Sequence, residues 1–167
     1  MSYESPFLAT PDIKLLGVLT KDLDKYNCTI EEREEYEPHI RRKTTVFAGV
    51  DYGLILKKAE KISDVIIWDG GNNDLPFYKP DLHIVVVDPF RVGDENTYHP
   101  GEANIRLADV VVINKIDSAD AKNINIVRKN VAAINPDAVV IDGASTIKVE
   151  DPSVIKGKKV LVVEDAA

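Results

Sequence analysis

Four short polar stretches carry most of the side chains whose types and spacing suit chemistry: Asp69-Gly70-Gly71-Asn72-Asn73-Asp74, Asp88-Pro89-Phe90-Arg91, Asn114-Lys115-Ile116-Asp117 and Gly143-Ala144-Ser145. In an Asn-Lys-X-Asp tetrapeptide the last carboxylate, Asp117, can accept both the N1–H and the exocyclic amine of guanine as a charge-assisted pair. The Asn114 amide would anchor the loop and the Lys115 stem would cover the base. Adenine offers no such pair of donors. The competing use of Asn and Asp at such a place is to stabilise a turn. Gly143-Ala144-Ser145 lies one helix and one strand downstream, where a backbone N–H can meet a base carbonyl. Its plain alternative is a tight turn permitted by Gly143.

Asp69 beside Gly70 and Gly71 puts a carboxylate next to backbone that a ligand can approach closely, which suits Mg²⁺ bound to a nucleotide. Asp74 is the second metal candidate, and Asp88 a further one. Arg91, His99 and Arg106 are the groups available to an anionic substrate, since guanidinium forks match phosphate oxygens. Glu102 and Arg106 also have the spacing of a simple helix pair. The three histidines, His39, His83 and His99, show no metal-ligand spacing, and the lone Cys28 cannot build a zinc site. No Gly-x-x-x-x-Gly-Lys-Ser/Thr occurs in the sequence, so the phosphate-grasping loop is not among its motifs.

These stretches need elements to hold them. From residue 44 onward, short Val- and Ile-rich runs at 45–50, 64–68, 82–87, 109–113, 138–141 and 159–163 alternate with helical patterns. The middle runs are apolar on both faces, as strands covered on both sides by helices read. Residues 52–62 and 121–134 place their aliphatic side chains on helical stripes. The order predicts an α/β fold with an open, mainly parallel sheet, helices on both faces, and the functional loops at the carboxyl ends of the strands. Residues 1–43 read as a separate, polar, partly helical segment without a β pattern, and 44–167 as the α/β core. Thr29 and Glu32 form a capping-box signature for a helix over 30–37, stopping before Pro38.

The 167 residues suit a single domain. An apolar fraction of 44% and a charged fraction of 29% are globular values that exclude disorder or a disulfide scaffold. The formal charge of -7 disfavours nucleic-acid and anionic-membrane partners. No apolar run is long enough to span a bilayer. With no secretory pattern and no second cysteine to form a disulfide with Cys28, the expectation is a cytoplasmic setting.

Three blocks closely resemble the middle of cyclic 2,3-diphosphoglycerate synthetase: residues 22–39, which open Asp22-Leu23-Asp24-Lys25-Tyr26 and close Glu37-Pro38-His39; Trp68-Asp69-Gly70-Gly71-Asn72-Asn73-Asp74; and His99-Pro100-Gly101-Glu102-Ala103-Asn104. The likeness runs over about residues 23–165. It implies part of a P-loop NTPase (Rossmann-like) domain without its P-loop, from an ATP-dependent ligase that closes 2,3-diphosphoglycerate into its cyclic phosphoanhydride. It also implies that the isolated chain is not catalytic. The expected cofactors are ATP (or GTP) and Mg²⁺, with Asp69 in the cation role. The expected partners are a nucleotide, a phosphorylated small molecule and, through exposed strand edges, another copy of the chain. Two other readings stand beside it: a GTP-binding regulatory or assembly module, and a non-catalytic fragment that pairs with another chain.

Overall fold

The computed structural model describes residues 14–16, 21–49, 51–70, 74–146, 148–149 and 151–161. The chain forms two compact units, Met1–Asp69 and Gly70–Ala167.

In the first unit, β1 (Lys14–Leu16) pairs antiparallel with β2 (Val46–Ala48), placing Leu15 opposite Phe47. The polar N-terminal segment therefore does contain a strand. Three residues are too few to show alternation, so only the ladder reveals it. The second strand, expected over 45–50, is short and antiparallel. α1 (Lys21–Lys25) leads into α2 (Ile30–Arg41), whose capping box forms as read: Glu32 N–H donates to Thr29 Oγ1 at 3.3 Å, and Thr29 N–H to Glu32 Oε2 at 3.0 Å. The helix does not stop before Pro38. Proline removes one hydrogen bond inside a helix, but continuing the helix buries Ile40 with Leu23 and Cys28, against Tyr26, Tyr36 and Val46. That burial is worth about 1.5–3 kcal/mol for an isoleucine and offsets the lost bond. α3 (Tyr52–Ala59) starts at Asp51, whose side chain accepts from Leu54 N–H at 2.8 Å, and buries Ala59.

The apolar run at 64–68 is not a strand. It joins no ladder among the described residues, and Val65 and Ile67 are 77% and 84% exposed. A strand is defined by its partner, and an apolar run alone cannot supply one.

The second unit holds a parallel sheet in the order β3 (Ile84–Val87), β4 (Val110–Ile113), β5 (Val139–Asp142). α4 (Asp94–Thr97) and α5 (Gly101–Leu107) connect β3 to β4, and α6 (Ala121–Ile134) connects β4 to β5. The α/β class and the parallel sheet are as read from the sequence. α6 spans the residues that the 3.6-residue period marks: Val127 and Val131 are fully buried, with Ile124 and Ile134 packed at the margin. They meet Val87, Val111 and Ile113 of the sheet and Ile105 and Ala108 at the end of α5.

The register places Ile84, Val110 and Val139 in one row of the other face, and Val86, Val112 and Ile141 in the next. Ile84, Val86, Val139 and Ile141 are about half exposed or more. Of the two helical layers expected, the described residues of this unit supply one. Residues 159–161 are exposed and form no strand, while 162 and 163 of that expected strand lie outside the described residues.

Candidate functional site

The carboxyl ends of β4 and β5 run directly into two of the polar stretches. Parallel pairing continues past the strands: Asn114 N–H donates to Val87 O at 3.0 Å and Gly143 N–H to Ile113 O at 2.8 Å. Ile116 N–H then returns to Gly143 O at 3.1 Å, which laces the Asn114–Asp117 loop to the loop after β5. Gly143 is required by this approach. A Cβ there would stand 3.0 Å from Val112 Cγ1 and 3.3 Å from Asn114 Oδ1.

Asp117 completes the junction. Its Oδ1 accepts the Ser145 N–H at 3.0 Å and its Oδ2 accepts the Thr146 hydroxyl at 3.2 Å. These bonds, led by the Ser145 amide, hold its carboxyl below the usual aspartate range. Asn114, Lys115, Asp117, Gly143, Ala144 and Ser145, chosen separately from sequence, thus form one rim at the sheet's carboxyl edge, with Asp117, Ala144 and Ser145 exposed and the other three half-buried. Thr146 escaped the sequence reading, although its position beside Ser145 was a local clue.

Lys115 sits in the left-handed region, at φ 55. Its ammonium contacts Asp88 Oδ2 at 2.7 Å and lies 5.9 Å from the Phe90 ring centre. Asp88 also caps the short 3-10 turn Pro89–Arg91 by accepting from Phe90 N–H at 2.9 Å. Its burial pushes the carboxyl pKa up, and Lys115 together with the Phe90 amide outweighs that, leaving it lowered. The lysine therefore fills the role at Asp88 that the sequence reading offered to a metal cation.

Of the three groups proposed for an anionic substrate, the two arginines are each engaged by a carboxylate close to them in sequence. Arg91 pairs with Asp94 at 2.9 Å. His99 is exposed before α5. Arg106 donates to Glu102 at 3.0 Å, the plain helix pair, and lies at the opposite end of the sheet from Asp117. There Asn135, at the end of α6, donates to the carbonyls of Ile105 and Ala108 at 2.8 and 2.9 Å. A cavity of about 490 Å³ lies at that same amino end, lined by Leu75, Tyr78, Lys79, His83, Leu107 and Asp109, away from the loop rim.

Asp69 ends the first unit, exposed, after the run at 64–68, which joins no ladder among the described residues; Gly70 opens the second unit. Gly71, a predicted binding residue, lies outside the described residues with Asn72 and Asn73. Asp74 is exposed, and its carbonyl accepts from Asn104 Nδ2 at 2.9 Å. Among the described residues no three His, Cys, Asp or Glu side chains gather to hold a metal. Mg²⁺ on a nucleotide needs only one or two carboxylates. No helix among the described residues is long and apolar enough to cross a membrane.

Residues 41–144 match the family described as cyclic 2,3-diphosphoglycerate synthetase, P-loop domain. The chain is 63% identical over 145 residues to "Arginine synthetase ArcE" of Thermococcus kodakarensis, covering 87% of this chain and 32% of that protein. It is 33% identical over 112 residues to "Cyclic 2,3-diphosphoglycerate synthetase" of Thermococcus sibiricus, covering 66% of this chain and 25% of that protein. The chain thus spans about a third or less of the length of the curated relatives it matches. No solved structure matches it.

Proposed function

The chain belongs to the family of the cyclic 2,3-diphosphoglycerate synthetase P-loop domain, and from that premise we propose that it forms the base-binding end of a nucleotide site in a synthetase. The carrying observation is the bonding of Asp117 to Ser145 and Thr146, which unites two loops at the carboxyl ends of adjacent parallel strands. Ligands of open α/β sheets bind at such strand ends. The ligand is a purine nucleoside triphosphate. Asp117 offers two oxygens to the donors of a purine edge, and the Ala144 backbone N–H stands beside them. By donor count guanine suits this carboxylate best, and ATP is the nucleotide that the family resemblance implies. Mg²⁺ accompanies such a triphosphate and spreads its charge.

Both relatives are named as synthetases, which supports a ligase in which a γ-phosphoryl group activates one oxygen for displacement. For the substrate, the 63% likeness to a protein named arginine synthetase outweighs the 33% likeness to one named for cyclic 2,3-diphosphoglycerate. The pairing of Arg91 with Asp94 and of Arg106 with Glu102 supports the same choice over a doubly phosphorylated substrate. We therefore place the chain in an arginine-forming synthetase, in place of the diphosphoglycerate cyclase implied by resemblance alone. Calorimetric titration of the protein that carries this sequence, in the presence of Mg-ATP, tests the choice. Saturable binding of arginine without binding of 2,3-diphosphoglycerate is expected, and the reverse result overturns it.

A further inference from the structure

We propose that Thr146 is a positioning residue that sets nucleotide-base specificity through the Asp117 carboxylate; this rests on the reading that a purine edge docks at Asp117. The Asp117 side chain is exposed, and its terminal torsion is a broad, two-fold one that water leaves free to turn. Two bonds from the loop after β5 restrain it. The Ser145 N–H holds Oδ1 at 3.0 Å and the Thr146 hydroxyl holds Oδ2 at 3.2 Å. A carboxylate has about four lone-pair sites, so one on each oxygen remains for a ligand while the plane of the group stays fixed.

The two restraints differ in kind. The Ser145 contact is a backbone amide and survives any side-chain change, whereas the Thr146 contact is a hydroxyl. Once the hydroxyl is gone, Oδ1 is still held but the carboxylate turns about it. A ligand edge with two parallel donors, such as guanine, needs both oxygens in its own plane. An edge with a single amine donor, such as adenine, does not. Loss of the hydroxyl thus penalises paired-donor ligands selectively, which simple loosening of the loop would not do.

The test uses isotope-labelled chain titrated with GMP and with AMP, followed at the Asp117 and Ser145 amides, for wild type, Thr146→Val and Thr146→Ser. Valine keeps the threonine shape, and the amide spectrum of the variant reports whether the fold is retained. The expected result is GMP binding weakened about five-fold by valine, the scale of one modest hydrogen bond. AMP binding should change by less than about two-fold, and serine should restore the wild-type ratio. Identical GMP titrations of wild type and Thr146→Val overturn the inference while leaving base docking intact, as does equal weakening of GMP and AMP. A wild-type chain that shifts with AMP and not with GMP overturns the inference alone, and one with no saturable shift at these amides with either nucleotide overturns both.

Discussion

Asp117 and Ser145 lie 28 residues apart in the chain, and the Ser145 amide donates to Asp117 Oδ1 at 3.0 Å. One bond thus joins the loops that follow β4 and β5. Each loop on its own is an ordinary turn. Joined, they present a carboxylate and a lysine along one edge of a sheet.

Gly143 is the residue that lets the loops approach. Gly143→Ala should destabilise the second unit by about 1–2 kcal/mol, the cost of forcing an extra carbon into a packed contact, because the new Cβ meets Val112 Cγ1 at 3.0 Å. Urea denaturation measures this. An unchanged midpoint would show that the loop has slack.

Lys115 holds Asp88 in its ionised state. In the intact chain the Asp88 carboxyl should titrate below the ordinary aspartate value, because Lys115 and the Phe90 amide outweigh burial. Lys115→Met leaves burial as the dominant influence, so the midpoint should move upward. Carboxyl NMR across an acid titration reads both values, and a midpoint unmoved by the substitution would mean that the pair carries no coupling.

Tyr36 reports on the small core of the first unit. Burial, followed by the nearby Glu32 and Glu35 carboxylates, pushes its phenol up to about 12 from 10.0. The folded state therefore keeps a proton that the unfolded chain loses. This stabilisation is fully present below about pH 10 and is lost between about pH 10 and 12. Phenolate absorbance compared between the chain and Tyr36→Phe should assign an ionisation near 12 to Tyr36, and a Tyr36 midpoint near 10 would contradict its burial against Ile40.

The two faces of the parallel sheet should respond differently to substitution. Ile113→Ala, at a fully buried site facing α6, should cost about 3 kcal/mol. Ile141→Thr, on the half-exposed face, should stay within about 0.5 kcal/mol. Paired denaturation curves of the chain decide this, and equal losses would mean that both faces are covered.

What was legible in the sequence was whatever depends on neighbours along the chain. The α6 stripe of Ile124, Val127, Val131 and Ile134 announces a helix by period, and Thr29 with Glu32 announces a helix start by chemistry. The Val- and Ile-rich runs of β3, β4 and β5 are long enough to mark strands, and polar loops after β4 and β5 then fall at one edge. What depends on remote partners stayed hidden. β1 is three residues recognisable only by β2, and Pro38 is tolerated only because Ile40 finds a core. The run at 64–68 carries strand chemistry without a ladder among the described residues. Lys115 on Asp88 and Thr146 on Asp117 are pairings across 27 and 29 residues that no local pattern encodes.

The most direct test of the account is an amide NMR titration of the isotope-labelled chain with Mg-ATP and, separately, Mg-GTP. The account predicts saturable shifts concentrated at Asn114, Lys115, Asp117, Ala144, Ser145 and Thr146 with at least one of the two nucleotides, abolished by Asp117→Ala. Shifts confined to other residues, or no saturable shift with either nucleotide, would contradict it.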